Sequence, residues 1–309
     1  MHKIIFIALL AAVMLPACHT KQKETIHSMT LPAGTIKVAI LLYPEVELLD
    51  FAGPSEVFGN AKGFQVYTVS TGDKQIKTKN NTLQIDPDYT IRDAPQPDIL
   101  VIPGASTKTL EPLLNNQALI DWIRKTNEKT GLTMSVCTGA EFLSKAGLLN
   151  NRSATTHSGA IDLLQELTPK AKFVKDVRYV EDGKIITTAG VSAGIDGALH
   201  VVAKLKGMRE ALLVTGILEY DKWDPEDGLV AGRQNSSPES MMKMDHMHMQ
   251  PAAPQALVLT ADAKDPVCGM TLKKGMKAKY TMNAGSKTYY FCSETCKKTF
   301  VNHEQVYTK

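Results

Sequence analysis

Two sets of residues in this chain carry reactive sulfur at spacings that suggest chemistry. The first is centred on Cys137, within Leu132 to Gly139, LTMSVCTG. A short apolar run that stops at a cysteine and passes through Gly139 into a helical pattern from Ala140 reads as strand, sharp turn and helix N-terminus. A cysteine on such a turn meets unpaired backbone N–H groups and the positive end of a helix, which favour the thiolate. Cys137 is therefore the candidate nucleophile; the alternative is a buried core thiol. Thr138 beside it offers a hydroxyl and an N–H. A carboxylate to serve it lies in Glu47 to Pro54, ELLDFAGP, where Asp50 sits among apolar neighbours that raise a carboxyl pKa and suit it to proton transfer. Its alternative is a helix cap or a surface charge, and Glu56 is a second candidate. In Pro103 to Ser106, Gly104 allows close backbone approach, and free N–H groups there would receive a developing negative charge. An ordinary tight turn explains the same residues.

These groups need a scaffold that brings three loops together. Nearly continuous apolar runs occur at Ile36 to Tyr43, Gln65 to Ser70, Ile99 to Ile102, Leu132 to Val136 and Ile185 to Ala189. Such runs suit strands covered on both faces. Helical patterns lie between several of them, as in Gln117 to Glu128 with Leu119, Ile120, Trp122 and Ile123. The alternation predicts an α/β domain, doubly wound around a mostly parallel sheet. Ligands in such sheets bind outside the carboxyl ends of the strands. The loops after Tyr43, after Ile102 and at Cys137 then form one site.

The chain has 309 residues, with 35 basic and 32 acidic side chains and a net charge of +3, a balance that leaves no nucleic-acid footprint. Its first 18 residues have a basic start, an apolar run from Ile4 to Leu15, and LPAC ending at Cys18. The run is too short to span a bilayer and reads as a signal peptide. A cysteine directly after a small residue resembles a bacterial lipobox, with Cys18 lipidated; a non-lipidated signal peptide is the alternative. The expected location is the bacterial cell envelope, lipid-anchored and facing the periplasm, with residues 19–35 as a tether.

The segments LLDFAGP (Leu48 to Pro54), Glu56 to Phe58, Val101 to Gly104, Ser135 to Ala140, Ala146 to Leu149, Ala154 to His157, Thr187 to Asp196 and Leu218 to Tyr220 together resemble the ThiJ/PfpI superfamily. This is a branch of the flavodoxin-like, class I glutamine amidotransferase-like fold, and the likeness is nearest to its isonitrile hydratase-like members. The resemblance implies Cys137 as nucleophile, Asp50 as acidic partner, Thr138 as a further catalytic residue, no cofactor for this domain, a small-molecule substrate and a homodimer. Thr138 stands where peptidase-type relatives have His, which argues against proteolysis. Two departures concern the pocket: Ala105 replaces the second glycine of the third loop, and Ser158 follows His157 where the hydratase branch has Trp. His157 is read as structural or pocket-lining. The same domain heads AraC-type regulators, but no helix-turn-helix pattern follows here.

The domain is assigned to residues 36–232. Residues 233–261 form a linker holding Met241, Met242, Met244, His246, Met247, His248 and Met249, thioether and imidazole groups that suit Cu(I) or Ag(I). A merely Met-rich polar linker is the alternative. Residues 262–309 contain DPVCGM and YYFCSETC and closely resemble a YHS domain, a small α+β metal-associated module. A unit this small needs a metal, a disulfide or a partner to hold it. Cys268, Cys292 and Cys296 are the expected ligands for copper, silver or zinc, with a fourth donor from His303, Met270, the linker or solvent; a disulfide is the competing reading. Two functions follow as expectations: a cysteine-dependent hydratase, or a metal-resistance protein whose larger domain is a scaffold or redox sensor.

Overall fold

The computed structural model describes residues 34–232, 257–284, 287–302 and 304–308. Cys18, the seven Met and His residues of the linker and His303 lie outside them. Among the described residues no helix is long and apolar enough to cross a membrane.

Eight strands form the central sheet: β1 (Ile36–Leu42), β2 (Phe64–Ser70), β3 (Tyr89–Thr90), β4 (Ile99–Ile102), β5 (Leu132–Val136), β6 (Tyr179–Asp182), β7 (Ile185–Thr188) and β8 (Gly228–Val230). They lie in the order β8-β6-β7-β5-β4-β1-β2-β3. Every neighbouring pair is parallel except the β6–β7 hairpin, which turns at Gly183 with φ 66°. The apolar runs read as strands are those strands, within a residue or two at their ends. The three that the apolar pattern missed are at the sheet's edges: the two-residue β3 beyond β2, and β6 and β8 beyond β7, where β6 carries Glu181 and Asp182 in place of a continuous apolar run.

Seven helices complete the domain: α1 (Leu48–Asn60), α2 (Thr107–Leu114), α3 (Gln117–Lys129), α4 (Ala140–Lys145), α5 (Ile161–Leu167), α6 (Ala193–Lys206) and α7 (Met208–Ile217). Helices α1, α6 and α7 pack on one another, as do α2, α3 and α4. Helix α3 starts where Asn116 accepts the amide of Leu119 at 3.3 Å, and it buries Leu119, Ile120 and Ile123 as its pattern requires. Burial of β1, β4 and β5 is nearly complete, Lys37 alone being exposed among their side chains. The loops after β1, β4 and β5 are thus hung on the most deeply buried strands of the sheet.

At the C-terminal end, β9 (Tyr280–Ala284) pairs antiparallel with β10 (Lys287–Phe291), followed by α8 (Glu294–Asn302) and α9 (Glu304–Tyr307). The core of this module is two small clusters, Val267, Phe291, Cys296 and Phe300 in one and Leu259, Leu272 and Ala278 in the other, with Tyr307 stacked on the ring of Phe300 and Tyr289 tilted against it. It rests on α7 through α8 and α9, and Val306 and Tyr307 join the edge of the main core.

Candidate active site and candidate metal centre

Strand β5 ends at Val136, and the next residue reverses the chain. Cys137 has φ 57°, a left-handed conformation uncommon for any residue but glycine. The strain is held from both sides, since the Cys137 amide donates to Ala189 O at 3.1 Å and the Thr156 hydroxyl donates to Cys137 O at 2.8 Å. Gly139 is dictated by packing: a Cβ there would lie 2.2 Å from the carbonyl oxygen of Ile102. Cys137 is 6% exposed, and the backbone amides of Thr138 and Val191 act on its thiol to favour the charged form.

Asp50 lies in the first turn of α1 and is completely buried. Its Oδ2 accepts the Gly104 amide at 2.9 Å. Its Oδ1, also buried, closes no hydrogen bond of regular geometry, and the Cys137 thiol is the side chain that interacts with the carboxyl group. Burial raises the Asp50 pKa to about 6, against the lowering effect of the Gly104 amide. Asp50 is therefore the buried, titratable carboxyl that its apolar neighbours predict.

The expectation of a resting thiolate is corrected. Burial, and next the charge of Asp50, push the Cys137 thiol up to about 11, outweighing the Thr138 and Val191 donors. Helix α4 has only six residues, and a single 3-10 turn at Cys137–Gly139 separates its first residue from β5, so its dipole adds little. At neutral pH the pair is a thiol beside a carboxylate.

The oxyanion reading of Gly104 and Ala105 is also corrected. The Gly104 amide is taken by Asp50, and the Ala105 amide donates to Thr138 Oγ1 at 3.0 Å while that hydroxyl donates back to Ala105 O at 2.8 Å. The loop fixes Asp50 and Thr138 in place. It needs glycine, because a Cβ at Gly104 would sit 2.4 Å from Thr138 Oγ1 and 3.0 Å from Asp50 Oδ2. His157 is exposed; its Nδ1 accepts the Gly159 amide at 3.1 Å, and its ring covers Gly190, next to Val191. It stands at the rim. Glu56 is exposed and bonds Asn60 at 3.0 Å, away from the sulfur. Missed from sequence were Val191, which acts through its backbone, and Tyr43, whose buried hydroxyl donates to Pro103 O at 2.6 Å and anchors the glycine loop.

The second sulfur site is in the C-terminal module. Cys268 and Cys292 have their sulfurs 3.4 Å apart, and Cys292 and Cys296 theirs 3.6 Å apart, all as free thiols. Asp265 joins them, and the four ligand atoms lie within 4.8 Å of one another. Its carboxylate ties the two cysteine loops together: Oδ1 accepts Val267 N at 2.8 Å and Cys268 N at 3.3 Å, and Oδ2 accepts Cys292 N at 2.7 Å. Burial pushes the Cys268 thiol up to about 11 and that of Cys296 well above its ordinary value. Three convergent thiols and a carboxylate are a donor set that fits a thiophilic ion. The Met270 side chain is 55% exposed.

Comparisons with known proteins agree with both halves. Residues 36–204 match the DJ-1/PfpI family, and residues 263–309 match the YHS domain. An isonitrile hydratase from Pseudomonas putida is 36% identical over 207 residues, covering 67% of this chain and 87% of that protein. The HTH-type transcriptional regulator CdhR of Pseudomonas aeruginosa is 30% identical over 57% of this chain and 52% of its own length. The crystal structure of a ThiJ/PfpI family protein from Pseudomonas syringae superposes with a TM-score of 0.57 at 27% identity, covering 65% of this chain and 86% of that one. With its sheet order, its elbow cysteine and these likenesses, the chain belongs to the DJ-1/PfpI family and carries a YHS domain at its C-terminal end.

Proposed function

We propose that the larger domain is a cysteine-dependent hydratase acting on a small carbon–nitrogen substrate, with isonitriles the class that suits it best. The observation that carries this is the buried Asp50 carboxyl with an unbonded Oδ1 beside the Cys137 thiol. Values of about 11 and about 6 leave the thiolate and carboxylic acid form at roughly one part in 10⁵. Attack and proton transfer therefore go together. The thiol adds across the terminal carbon of R–NC: sulfur bonds to that carbon, and its proton reaches the same carbon through Asp50, giving R–N=CH–S–Cys137. Asp50 then takes a proton from water as the oxygen attacks and passes it to the nitrogen, giving R–NH–CH(OH)–S–Cys137. Collapse breaks the C–S bond, returns the proton to sulfur and releases R–NH–CHO. Water and isonitrile are consumed one for one. Likeness to an enzyme named isonitrile hydratase supports this choice of substrate class.

The chain is further proposed to be a lipid-anchored, periplasm-facing homodimer in which Cys268, Cys292 and Cys296 hold a copper, silver or zinc ion. The lipobox-like LPAC and the linker Met and His residues support that reading. A bound soft ion is held by thiolates, so uptake releases protons from thiols that are otherwise protonated. The convergence of three thiols also favours a second reading, in which metal capture is the main task and the larger domain is a scaffold or redox sensor.

The deciding measurement is formamide production from a simple alkyl isonitrile by the full chain, followed by NMR, against Cys137→Ala. Wild-type turnover lost in a folded Cys137→Ala variant is the expected result. Turnover retained by that variant removes the mechanism. No wild-type turnover, together with stoichiometric Cu(I) uptake that disappears in a triple Cys→Ser variant at 268, 292 and 296, leaves the metal reading.

A further inference from the structure

The nucleophile is served by a backbone turn from the opposite side of the sheet end, and that turn is held by side chains outside the hydratase mechanism. Residues Ala189 to Ser192 connect β7 to α6 and pass beside Cys137: Ala189 O accepts the Cys137 amide at 3.1 Å, and the Val191 amide favours the charged form of the thiol. Val191 does this at φ 46°, a genuine outlier for a β-branched residue, which persists only where the surroundings over-determine it. The surroundings are polar and specific. The Arg178 guanidinium donates through Nε to Asp196 Oδ2 at 2.7 Å and through Nη2 to Ser192 Oγ at 3.0 Å. Nη2 also lies 2.5 Å from Asp196 Oδ2. Asp196, 3% exposed, takes a third bond on Oδ1 from the Tyr220 hydroxyl at 3.0 Å. The backbone of Arg178 joins in, its carbonyl accepting the Ala189 amide at 2.9 Å. One residue therefore grips the turn just before Gly190 and again at Ser192, on both sides of Val191. On its outer side Arg178 lines a cleft of about 340 Å³ with Thr156, Ser158, Asp176, Ala189 and Asp227, so no packed side chain there could replace its hold.

We propose that Arg178, braced by Asp196 and Tyr220, is a positioning residue for Cys137: by fixing the strained turn from Ala189 to Ser192 it holds the carbonyl that grips the Cys137 amide and the Val191 amide beside it, and so sets the reactivity of the thiol. This rests on Cys137 being the nucleophile but needs no particular substrate. Lysine cannot copy the fork, because its single ammonium has no planar pair of donors to span Asp196 and Ser192. The other groups that act on the sulfur, Asp50 and Thr138, are bonded to the Gly104–Ala105 loop and not to Arg178.

The experiment is alkylation of the full-length protein by iodoacetamide across pH 7 to 11, with the Cys137 peptide quantified by mass spectrometry so that the other thiols do not interfere. Loss of a hydrogen bond to the thiolate raises its pKa, so Arg178→Ala is expected to move the Cys137 profile upward by about half to one unit and to slow labelling at pH 8 by roughly three- to tenfold. Arg178→Lys is expected to recover only part of this. Ser192→Ala, which removes one bond and keeps the ion pair, is expected to shift the profile the same way by less. Should Arg178→Ala fail to fold, Ser192→Ala carries the test alone. An unchanged profile in a folded Arg178→Ala protein, or in Ser192→Ala if that is the only folded variant, overturns the proposal. Because labelling uses no isonitrile, this result is independent of whether hydration is observed.

Discussion

Both sulfur sites in this molecule pair cysteine with aspartate, yet the two aspartates are built for opposite purposes. Asp50 accepts one backbone amide on Oδ2 and leaves Oδ1 buried without a regular partner, facing the thiol. Asp265 accepts three backbone amides, two on Oδ1 and one on Oδ2. A carboxylate with a spare lone pair in a dry place can pick up a proton; one pinned by three N–H donors holds two loops at a fixed separation. The surroundings follow the same division. Cys137 hangs from β5 in the middle of a large sheet, whereas in the module Cys296 is itself part of a core cluster of four buried residues, with Cys268 and Cys292 packed against it. The first site obtains its geometry from the fold, and the second relies on Asp265 to tie together loops that its small core cannot hold.

The largest effect that would break this contrast is at Asp50. Asp50→Asn removes the proton acceptor while keeping an oxygen for the Gly104 amide, and turnover is expected to fall by about 10³-fold or more. Stability moves the other way. Because the folded pKa is raised from 3.8 to about 6, the carboxyl favours the native state below the lower value, and that advantage is lost as pH rises through 6. Above pH 6 the variant is expected to be more stable than wild type by about 2–3 kcal/mol, and below pH 4 the gap should close. Urea melts at pH 4 and pH 8 measure this. Equal stability differences at both values would mean that Asp50 is an ordinary structural acid.

Asp265→Ala should behave in the reverse sense. It leaves three buried or half-buried amides without their acceptor, which costs the module about 2–4 kcal/mol and loosens the thiols from one another. Isonitrile turnover should be unchanged, and Cu(I) affinity should drop. Hydrogen exchange resolved by segment distinguishes local melting of residues 257–308 from global unfolding. Protection retained in that segment, with full metal affinity, would show that the amides find other partners.

The parts legible in the sequence are those in which a side chain does the work. The continuous apolar runs gave β1, β4 and β5 because strands covered on both faces leave no polar positions. A carboxyl embedded in LLDFAGP signalled a buried acid because few other environments place Asp between Leu49 and Phe51. Backbone contributions were not legible. Nothing in the residue type at position 191 announces a left-handed valine presenting its N–H to sulfur, and Pro-Gly-Ala does not disclose that the Gly104 amide is already committed to Asp50. The thiol's protonation state failed for a related reason: turn geometry suggested free donors, but the net effect depends on burial and on the distance to Asp50, neither of which is local in sequence. Asp265 was passed over as a donor beside three cysteines because its role is read only when residues 265 and 292 meet.

The smallest effect tests the same contrast through two buried phenols. Tyr43 donates to Pro103 O at 2.6 Å beneath the glycine loop, whereas the buried Tyr307 hydroxyl has no hydrogen-bond partner among the described residues. Removing a donor strands a buried carbonyl; removing an unpaired hydroxyl strands nothing. Tyr43→Phe is therefore expected to cost about 1–2 kcal/mol and to slow turnover modestly by loosening the loop that fixes Asp50. Tyr307→Phe should be neutral or slightly stabilising, by less than about 1 kcal/mol, and leave turnover untouched. Thermal melts of the two variants compare them directly. A destabilising Tyr307→Phe would mean that the phenol bonds a group of the thiol cluster or of Arg209 in solution, and the module would then owe part of its seating on α7 to polar contact instead of to the stacked rings of Phe300 and Tyr307.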